Sequence, residues 1–497
     1  MTLLHDLIDS AAQQWPDRVA ISTKRQALTY RELAIASASI AVWLYGLGVR
    51  RGQRLVIVGP SDVVLPVLIY AASRVGAAFS VLHEQTRGGP LAHVLDDSEP
   101  VLLIAAEDEA LDVARERGML AVSLQEVRQQ MLTPSKCVLS SQRSQGEPFS
   151  VDPLCLIYTS GTTSRPKAVV STHEQAIFAI RAIQAVLAYR AEDVVYCPLP
   201  LSFDYGMYQL FLGAVSGAHV RLGLLAEVGP ALLRNMTEVG TTVLASTPAV
   251  AESLARLLRR NNVSVPPLRL LTNTGAAMPV EPLITLRAAI PSLRVQLMFG
   301  LTECKRATIM PPDADLDRPG ACGLALPGTE LFAVDEAGSR LPPGETGELV
   351  VRGPNVMAGY WRRPDLTAQR FYRQDGLFPQ LRTGDYGWLD EDGYVYFAGR
   401  RDDIYKDRGF RVSAIEVEAA VRRLPGIESA AVLPPLDGKP AVLAVVGDLT
   451  AEDVTLLLRE EIEEFKIPQR CVVLSALPLT NNGKIDLKIL RAEMADV

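Results

Sequence analysis

One loop in the chain combines glycine, hydroxyl side chains and a lysine in an order that could bind phosphate. It reads TSGTTSRPK from Thr159 to Lys167 and follows an apolar run that stops at Tyr158. Glycine lets backbone amides approach an anion closely, while hydroxyl groups and a lysine supply donors and charge. The loop is not a Walker A loop, in which lysine directly follows a second glycine. Composition alone leaves two interpretations open, a phosphate cradle or a solvated surface loop.

The elements that must position this loop alternate between short apolar runs and helical patterns. Runs at 54–59, 100–106 and 241–247 each precede a helical pattern, and two further apolar runs end at Gly275 and Gly300. This rhythm predicts an α/β fold in which parallel sheets are covered by helices.

The texture of the sequence changes twice towards the C-terminus. Residues 317–400 are rich in glycine and proline and favour short antiparallel strands in a β-barrel-like part. A charged stretch at 398–412 then precedes a segment of mixed helices and strands. We therefore expect an N-terminal core of stacked α/β sheets over residues 1–401 and a small α+β domain over residues 402–497.

Composition and charge indicate a globular protein and narrow its partners. The 497 residues are 48% apolar and 22% charged, and the net charge is −7, which does not favour a nucleic-acid partner. Asp6 and Asp9 within the first turns argue against a signal peptide, and no clean membrane span is evident. Six scattered cysteines without a CxxC pair suit a reducing compartment. We expect a cytoplasmic protein with no membrane partner.

Nine ordered segments carry a resemblance to a known family. The first, YTSGTTSRPKAV, resembles the phosphate loop of the adenylate-forming superfamily, which includes acyl-CoA synthetases, luciferases and nonribosomal peptide synthetase adenylation domains. Ser164 and Ala168 replace two glycines of the usual pattern. The other matching segments span nearly the whole chain: LTYREL (28–33), LSFDYGMYQL (201–210), NTGAAM (273–278), MFGLTE (298–303), GELVVRGPNVMAGYW (347–361), RTGDYG (382–387), GRRDDIYKDRGFRV (399–412) and NNGKIDLK (481–488).

The resemblance implies ATP-dependent adenylation of a carboxylic acid, with ATP and Mg²⁺ as cofactors. Glu303 would bind Mg²⁺, Thr302 would touch the α-phosphate, Asp385 would bind the ribose, and Arg400 would reach ribose or phosphate. The phosphate loop would bind through Thr159, Ser160, Gly161, Thr162, Thr163 and Lys167. The adenine side would be lined by Thr274, Gly275, Ala276, Ala277, Met298, Phe299 and Gly300.

The resemblance also assigns a catalytic lysine and a hinge to the small domain, which would be mobile. Lys484, in the tight turn NNGKID, would bridge carboxylate and phosphate. Rotation at Asp402 would exchange Lys484 for a face carrying catalytic Lys406, with Gly409 and Phe410 lining a thiol channel. From the residues alone, Lys484 reads equally as an exposed turn lysine, and residues 401–403 as a solvated charge run.

Asp204 is the residue that distinguishes candidate acids. In amino-acid-activating relatives an aspartate after this phenylalanine binds the substrate ammonium, whereas a pocket for simple acids has no use for a buried carboxylate. A helix cap is the alternative role, and Gly206 replaces the usual serine of F-D-x-S. Arg306 is a candidate partner for a second substrate carboxylate. The predicted acid pocket comprises Phe203, Asp204, Tyr205, Tyr208, Thr272, Thr274, Met298, Arg306 and Ala307.

Three functions stay open at this point. The first is a free-standing enzyme that activates a small amino acid and transfers it to the phosphopantetheine thiol of a separate carrier protein, because no carrier segment follows Lys484. The second is an acyl-CoA ligase for a small or medium carboxylic acid, with CoA as acceptor. The third is a nucleotide-binding regulator without turnover, against which Lys167, Glu303, Asp385 and Lys484 argue together.

Overall fold

The structure, a computed structural model, describes most of the chain: residues 2–132, 147–159, 166–260, 264–373, 379–400, 404–407, 410–436, 439–462, 464–479 and 485–494. The chain divides into two compact units. The first comprises Met1–Leu331 and Val351–Leu381, and the second comprises Phe332–Val350 and Arg382–Val497. The predicted boundary between residues 401 and 402 lies outside the described residues and stays a prediction.

The part of the chain up to residue 400 contains most of the described secondary structure. The strands up to residue 400 are β1 Val19–Ser22, β2 Ala27–Thr29, β3 Arg54–Val58, β4 Ala78–Leu82, β5 Leu102–Ala105, β6 Leu120–Ser123, β7 Pro153–Thr159, β8 Lys167–Thr172, β9 Val194–Cys197, β10 His219–Leu222, β11 Val243–Ser246, β12 Leu270–Asn273, β13 Arg294–Phe299, β14 Thr308–Ile309, β15 Leu324–Ala325, β16 Glu330–Val334, β17 Gly347–Arg352, β18 Gly359–Tyr360, β19 Phe371–Arg373, β20 Pro379–Leu389 and β21 Val395–Arg400. The helices are α1 Leu4–Gln14, α2 Tyr30–Gly46, α3 Val64–Val75, α4 Gly88–Ser98, α5 Asp108–Arg115, α6 Leu124–Leu132, α7 His173–Leu187, α8 Asp204–Ser216, α9 Pro230–Glu238, α10 Pro248–Leu258, α11 Val280–Ala289 and α12 Pro364–Arg370.

Two large sheets form the first unit. One has the order β18-β8-β7-β4-β3-β5-β6, and the other has the order β15-β14-β13-β12-β11-β9-β10-β1-β2. Their central pairs, β4 with β3 and β11 with β12, are parallel. The predicted α/β architecture is confirmed, and the run at 54–59 and the helical pattern at 64–75 correspond to β3 and α3.

Helix α3 shows why the two sheets need a shared apolar interior. All its residues from Val64 to Ser73 are buried. A helix that is apolar on every side must lie inside a protein. It belongs to one continuous core cluster that includes residues of β3, α1, α7 and α8. This core supports the strands that carry the predicted site.

The β7–β8 hairpin presents the phosphate-loop sequence. Its strands are antiparallel, with Thr159 opposite Lys167 at the loop end. Behind the hairpin, the Thr172 hydroxyl accepts a hydrogen bond from the Gln175 amide and caps α7. β18 pairs with β8 on its other side. The loop therefore rises from a strand pair fixed on both flanks.

The other large sheet brings several sequence motifs to one edge. β9, β11, β12 and β13 run parallel, so their carboxyl ends lie at the same edge. The chain continues from these ends into the segments that contain Phe203, Thr274 and Gly300. Such an edge is the common ligand site of open parallel sheets.

The remaining strands form smaller sheets. β16, β17, β19, β20 and β21 form one five-stranded sheet in the region predicted to be barrel-like. The later elements are β22 Ile404–Asp407, β23 Phe410–Ser413, α13 Ala414–Arg422, β24 Ile427–Leu433, β25 Val442–Gly447, α14 Ala451–Glu461, β26 Arg470–Val473 and α15 Leu487–Glu493. The expected mixture of helices and strands is present. In the described residues, no helix has the length and apolar character to cross a membrane.

Candidate active site

Tyr360 joins two of the predicted nucleotide-binding residues. Its hydroxyl donates a hydrogen bond to the Glu303 carboxylate over 2.6 Å, and the Lys167 ammonium lies 4.0 Å from the centre of its ring. Glu303 is 92% buried, with 8% of its surface exposed. Burial, followed by the Glu303 charge, raises the pKa of Tyr360 far above its ordinary value. Glu303 and Lys167 are therefore brought together through one aromatic side chain.

The strands that flank the phosphate loop are described, but most of the loop is not. The Thr159 hydroxyl donates to the Lys167 carbonyl over 3.4 Å, which joins the two strands at the base of the loop. Ala168 is buried in β8, so this position holds an ordinary strand residue where the family pattern has glycine. The predicted phosphate ligands Ser160, Gly161, Thr162 and Thr163 lie outside the described residues.

The segment after β13 makes a tight turn that only glycine permits. A side-chain carbon on Gly300 would lie 2.3 Å from the Lys305 carbonyl oxygen. The turn closes when the Ala307 amide donates to the Phe299 carbonyl over 2.9 Å. Met298 and Ala307 are buried, whereas Phe299 and Thr302 are half-buried. The turn thus places the predicted metal and phosphate ligands directly beside the predicted acid pocket.

The loop after β12 lies at the same sheet edge. Thr272 and Thr274 are buried, and the Thr274 amide donates to the Ser246 carbonyl over 3.4 Å. Gly275 has φ of 94°, a left-handed conformation that favours glycine. Ala276 and Ala277 are exposed on this turn, as an adenine-facing surface requires.

Asp204 is the first residue of α8 and does not cap it. Phe203 occupies the cap position, and no side-chain hydrogen bond caps the helix. Asp204 is 4% exposed, and within the described residues its Oδ2 atom has no hydrogen-bond partner. The helix-cap alternative is therefore wrong, and a buried carboxylate oxygen remains to be satisfied.

Two tyrosines follow Asp204 into the pocket with different surroundings. The Tyr205 hydroxyl lies 2.6 Å from the Thr272 hydroxyl and donates to the Thr272 carbonyl over 2.9 Å. The Arg306 guanidinium lies 4.7 Å from the centre of the Tyr205 ring and donates to the Lys305 carbonyl over 2.7 Å. The Tyr208 hydroxyl, in contrast, has no hydrogen-bond partner in the described part of the chain.

Lys305, directly before Arg306, is a buried residue that the sequence analysis missed. Its side chain is fully buried, and its ammonium has no hydrogen-bond partner among the described residues. It lies 5.8 Å from the centre of the Tyr208 ring, and its φ of 64° is uncommon outside glycine. The signal in the sequence was a second cation directly before Arg306, two residues after Glu303.

Gly206 has a packing reason to replace the family serine. A side-chain carbon there would lie 2.5 Å from the Pro200 carbonyl oxygen and 2.9 Å from that of Leu199. Backbone atoms cannot move aside as a flexible side chain can. The close approach of the preceding loop to α8 therefore excludes the serine that the pattern F-D-x-S contains.

The second unit holds the predicted ribose ligand. Asp385 is buried in β20, opposite Arg400 in β21. Its amide donates to the Thr383 hydroxyl over 3.0 Å, and that hydroxyl donates to the Leu349 carbonyl over 2.6 Å. The local strand pairing therefore fixes the backbone of Asp385.

Several predicted residues cannot be placed. Asp402, Gly409 and Lys484 lie outside the described residues. For Arg400, Lys406 and Phe410 the structure describes only the backbone, in β21, β22 and β23. Their roles stay predictions.

Known proteins match almost the full length of the chain. The AMP-binding enzyme family matches residues 8–361, and the AMP-binding enzyme C-terminal domain matches residues 416–484. The chain is 29% identical to a feruloyl-CoA synthase from Amycolatopsis, covering 95% of both proteins. It is also 29% identical to the delta-poly-L-ornithine synthetase of Acinetobacter baumannii. That alignment covers 99% of this chain but only 36% of the synthetase.

Solved structures extend the similarity to three dimensions. The crystal structure of VinN shares 38% identity and a TM-score of 0.74, covering 80% of this chain and 99% of VinN. A second VinN structure contains L-aspartate and shares 37% identity, with a TM-score of 0.72 over 80% of this chain and 98% of that one. ATP-bound MatB from Rhodopseudomonas palustris shares 25% identity, with a TM-score of 0.86 over 99% of both chains.

These matches establish the class of reaction. The family matches cover the motifs around Lys167, Glu303 and Tyr360. The relatives include a poly-L-ornithine synthetase and a feruloyl-CoA synthase. The chain belongs to the AMP-binding enzymes of the adenylate-forming superfamily, and it is an AMP-forming ligase that uses ATP to adenylate a carboxylic acid.

Proposed function

We propose that the chain adenylates a small amino acid that carries a second carboxylate, and transfers it to the phosphopantetheine thiol of a separate carrier protein. One observation carries the choice of acid: Asp204 and Lys305 bury opposite charges whose terminal atoms, Oδ2 and Nζ, have no hydrogen-bond partner in the described residues. Leaving charged groups buried in this way costs stability unless a ligand satisfies them.

The acid pocket has the charges to complement such a substrate. Asp204 would accept hydrogen bonds from the substrate ammonium, and Lys305 with Arg306 would bind the carboxylate that does not react. The Tyr208 hydroxyl supplies a further buried donor. The VinN structure with L-aspartate supports this substrate class, because VinN is 37% identical to this chain.

The nucleotide side of the proposal rests on residues with complementary roles. Lys167 would neutralise phosphate charge, Thr302 would contact the α-phosphate, and Asp385 would accept the ribose hydroxyls. Glu303 offers the carboxylate oxygen that Mg²⁺ favours, and the metal would supply further charge neutralisation when bound. In the described residues no cluster of three metal-ligating side chains exists, so phosphate and water would complete the coordination.

Transfer to the thiol is the second half of the proposal. Lys484 would act in adenylation, and rotation at Asp402 would then bring Lys406 and the channel residues Gly409 and Phe410 towards the thiol. CoA is the alternative acceptor, for which the feruloyl-CoA synthase at 29% identity is the supporting relative. A competing function is thus an acyl-CoA ligase for a small or medium acid.

Acid-dependent pyrophosphate exchange tests the choice of acid. We expect L-aspartate or a close analogue to drive exchange at least about 10²-fold better than succinate, which lacks the ammonium, or alanine, which lacks the second carboxylate. Exchange driven only by fatty or aryl acids would refute the amino-acid assignment. Equal exchange with aspartate and alanine would refute the second-carboxylate assignment.

Thiol transfer is tested with the adenylated acid and two acceptors. A phosphopantetheine-loaded carrier protein and free CoA are compared at equal thiol concentration. We expect thioester formation on the carrier. Transfer to CoA alone would establish the competing ligase function.

A further inference from the structure

Tyr360 contacts the Glu303 carboxylate and the Lys167 ammonium, two charged groups predicted to bind Mg²⁺ and phosphate. The family resemblance assigns no role to this tyrosine. In the sequence, Tyr360 lies within the matching segment 347–361. In the structure its hydroxyl donates to Glu303 over 2.6 Å, and its ring centre lies 4.0 Å from the Lys167 ammonium. Tyr360 is 57 positions from Glu303 and 193 positions from Lys167 in the chain, so both contacts depend on the fold.

The backbone of Tyr360 is fixed on both sides. In β18, Gly359 pairs with Val170 and Tyr360 pairs with Val169, so Tyr360 lies beside β8, the strand that begins with Lys167. The Tyr360 amide donates to the Thr367 hydroxyl over 3.0 Å. Gly359 has φ of 126°, and a side-chain carbon there would lie 2.4 Å from the Thr367 methyl group. Strand pairing and this close approach leave the tyrosine little freedom.

The ring and the hydroxyl of Tyr360 are held by different neighbours. The Phe371 ring meets the Tyr360 ring edge to face, with 5.2 Å between centres, within a small apolar cluster that includes Val169 and Met357. The Met357 amide donates to the Glu303 carbonyl over 2.9 Å, which fixes the backbone of Glu303 to the same segment. The backbone of Glu303 and the ring of Tyr360 are therefore each held in place independently of the hydrogen bond between the Glu303 carboxylate and the Tyr360 hydroxyl.

The two contacts use opposite features of the tyrosine. The face of an aromatic ring carries negative charge density and attracts a cation, so it suits the Lys167 ammonium. The polar hydroxyl hydrogen suits the Glu303 carboxylate, and hydrogen bonds to an ionised acceptor are the stronger kind. One side chain thus stabilises a positive group and a negative group at defined places before any ligand arrives.

We propose that Tyr360 is a positioning residue that sets the Glu303 carboxylate for a divalent cation and the Lys167 ammonium for the phosphates. The inference rests on the proposed function, in which Glu303 and Lys167 contact Mg²⁺ and ATP. The hydroxyl limits the rotamers of Glu303, so that binding the cation does not have to order this side chain. The ring orders the flexible stem of Lys167 in the same way.

The two contacts can be separated by substitution. Tyr360→Phe removes the hydroxyl and keeps the ring, so it acts on Glu303 alone. Tyr360→Leu removes both contacts. Phe371→Leu is the matched control, because it loosens the same apolar cluster without touching either charged group.

The experiment measures ATP binding by calorimetry with Mg²⁺ and, separately, with EDTA. We expect Tyr360→Phe to weaken binding about 10-fold with Mg²⁺ and less than about 2-fold in EDTA. Tyr360→Leu should weaken binding in both conditions, and Phe371→Leu should change the two affinities by equal factors. A merely structural tyrosine would give Tyr360→Phe the same loss in both conditions, and that result, or no loss at all, would overturn the proposal.

Two further variants keep the test decisive. If Tyr360→Phe melts at a much lower temperature than the parent chain, Thr367→Val replaces it in the experiment. This change removes the Thr367 hydroxyl, which accepts the hydrogen bond of the Tyr360 amide, and it retains the Tyr360 side chain. The change shifts the Tyr360 ring and hydroxyl together, so it should weaken ATP binding both with Mg²⁺ and in EDTA, as Tyr360→Leu does, whereas Thr367→Ser should not. Equal losses for both Thr367 variants would count against the proposal.

Failure of the proposed function has its own signature. In the unaltered chain, ATP affinity should rise with Mg²⁺, and Glu303→Gln should abolish that rise. If the unaltered chain binds ATP equally with and without Mg²⁺, the roles given to Glu303 and Tyr360 are both wrong. If the rise is present and depends on Glu303 but not on the Tyr360 hydroxyl, only the inference about Tyr360 is wrong.

Discussion

The nucleotide side and the acid pocket differ in whether their charged side chains have partners within the protein. On the nucleotide side, Glu303 accepts a hydrogen bond from Tyr360, and Lys167 lies over the ring of that tyrosine. In the pocket, Asp204 Oδ2 and Lys305 Nζ are buried and have no hydrogen-bond partner among the described residues. Each region has one residue on the same turn, because Glu303 of the nucleotide side and Lys305 of the acid pocket are two residues apart.

This difference indicates what each region must do. ATP and its metal are the same in every reaction of an adenylating enzyme, so a preformed arrangement lowers the cost of binding them. The acid is the partner that must be selected. A pocket whose own charges are unsatisfied rejects an acid that lacks the complementary groups, because such an acid leaves the buried charges unpaired.

Replacing the pocket lysine gives the largest expected effect. Lys305→Met keeps the length and apolar stem of the side chain but removes its charge. We expect kcat/KM for an amino dicarboxylic acid to fall about 10³-fold, while that for a matching monocarboxylic amino acid falls less than about 10-fold. Steady-state pyrophosphate exchange with both acids measures this. Equal losses would show that Lys305 does not read the second carboxylate.

Stability should move in opposite directions in the two regions. Lys305→Met removes a buried charge, so the free energy of unfolding should stay equal or rise, by up to about 3 kcal/mol. Glu303→Leu leaves the Tyr360 hydroxyl without its acceptor, so the free energy of unfolding should fall by about 1–3 kcal/mol. Urea denaturation without ligands measures both. Glu303→Gln, which keeps an acceptor oxygen, is the control. Its free energy of unfolding should fall less than that of Glu303→Leu.

The sequence predicted the framework better than the pocket. The apolar runs and helical patterns that gave β3, α3 and α10 are local signals, because burial of a whole element is written in its own residues. In the structure Asp204 and Glu303 follow β9 and β13 at one sheet edge, whereas the order of the motifs predicted only that both belong to the site. Lys305 and Tyr360 were missed because their roles depend on a left-handed turn and on strand pairing between distant segments. Neither the left-handed turn nor the strand pairing has a local signal, although the second cation directly before Arg306 marks Lys305 in the sequence.

Gly206 illustrates the same limit from the other side. The missing serine looked like a departure from the family pattern, and its cause, the close approach of the Leu199 and Pro200 carbonyls, is visible only in the structure. The departure therefore reports on backbone packing and not on the acid. This explanation can be tested directly.

Restoring the family serine should disturb the pocket by a smaller amount. Gly206→Ser forces the start of α8 away from Pro200, so we expect the free energy of unfolding to fall by about 1–3 kcal/mol. The KM for the acid should rise more than the KM for ATP, because α8 carries Asp204. Gly46→Ser is the matched control, since Gly46 is also helical and has open space around it. A tolerated Gly206→Ser with unchanged KM values would contradict the packing explanation.

Acid should weaken the framework that both regions share, with the smallest effect per residue. Burial, followed by the His5 charge, lowers the pKa of His173 to about 4, although Asp152 opposes the shift. The Leu4 amide donates to Nδ1 of His173 over 3.2 Å, so this nitrogen must be unprotonated for α1 to dock. Because the unfolded chain binds a proton near pH 6.5 and the folded chain only near pH 4, stability falls as the pH drops through this window.

The expected loss can be assigned to this histidine with one variant. At pH 5.5 the unaltered chain should be about 1 kcal/mol less stable than at pH 7.5 on account of His173, in addition to similar losses from other buried histidines. His173→Asn retains an acceptor oxygen for the Leu4 amide but cannot be protonated, so urea denaturation should show a smaller difference between the two pH values. The ratio of aspartate to alanine exchange should stay constant between them, because α7, which carries His173, contains none of the predicted site residues. A ratio that changes with pH in the unaltered chain but not in His173→Asn would instead couple α1 to the acid pocket alone.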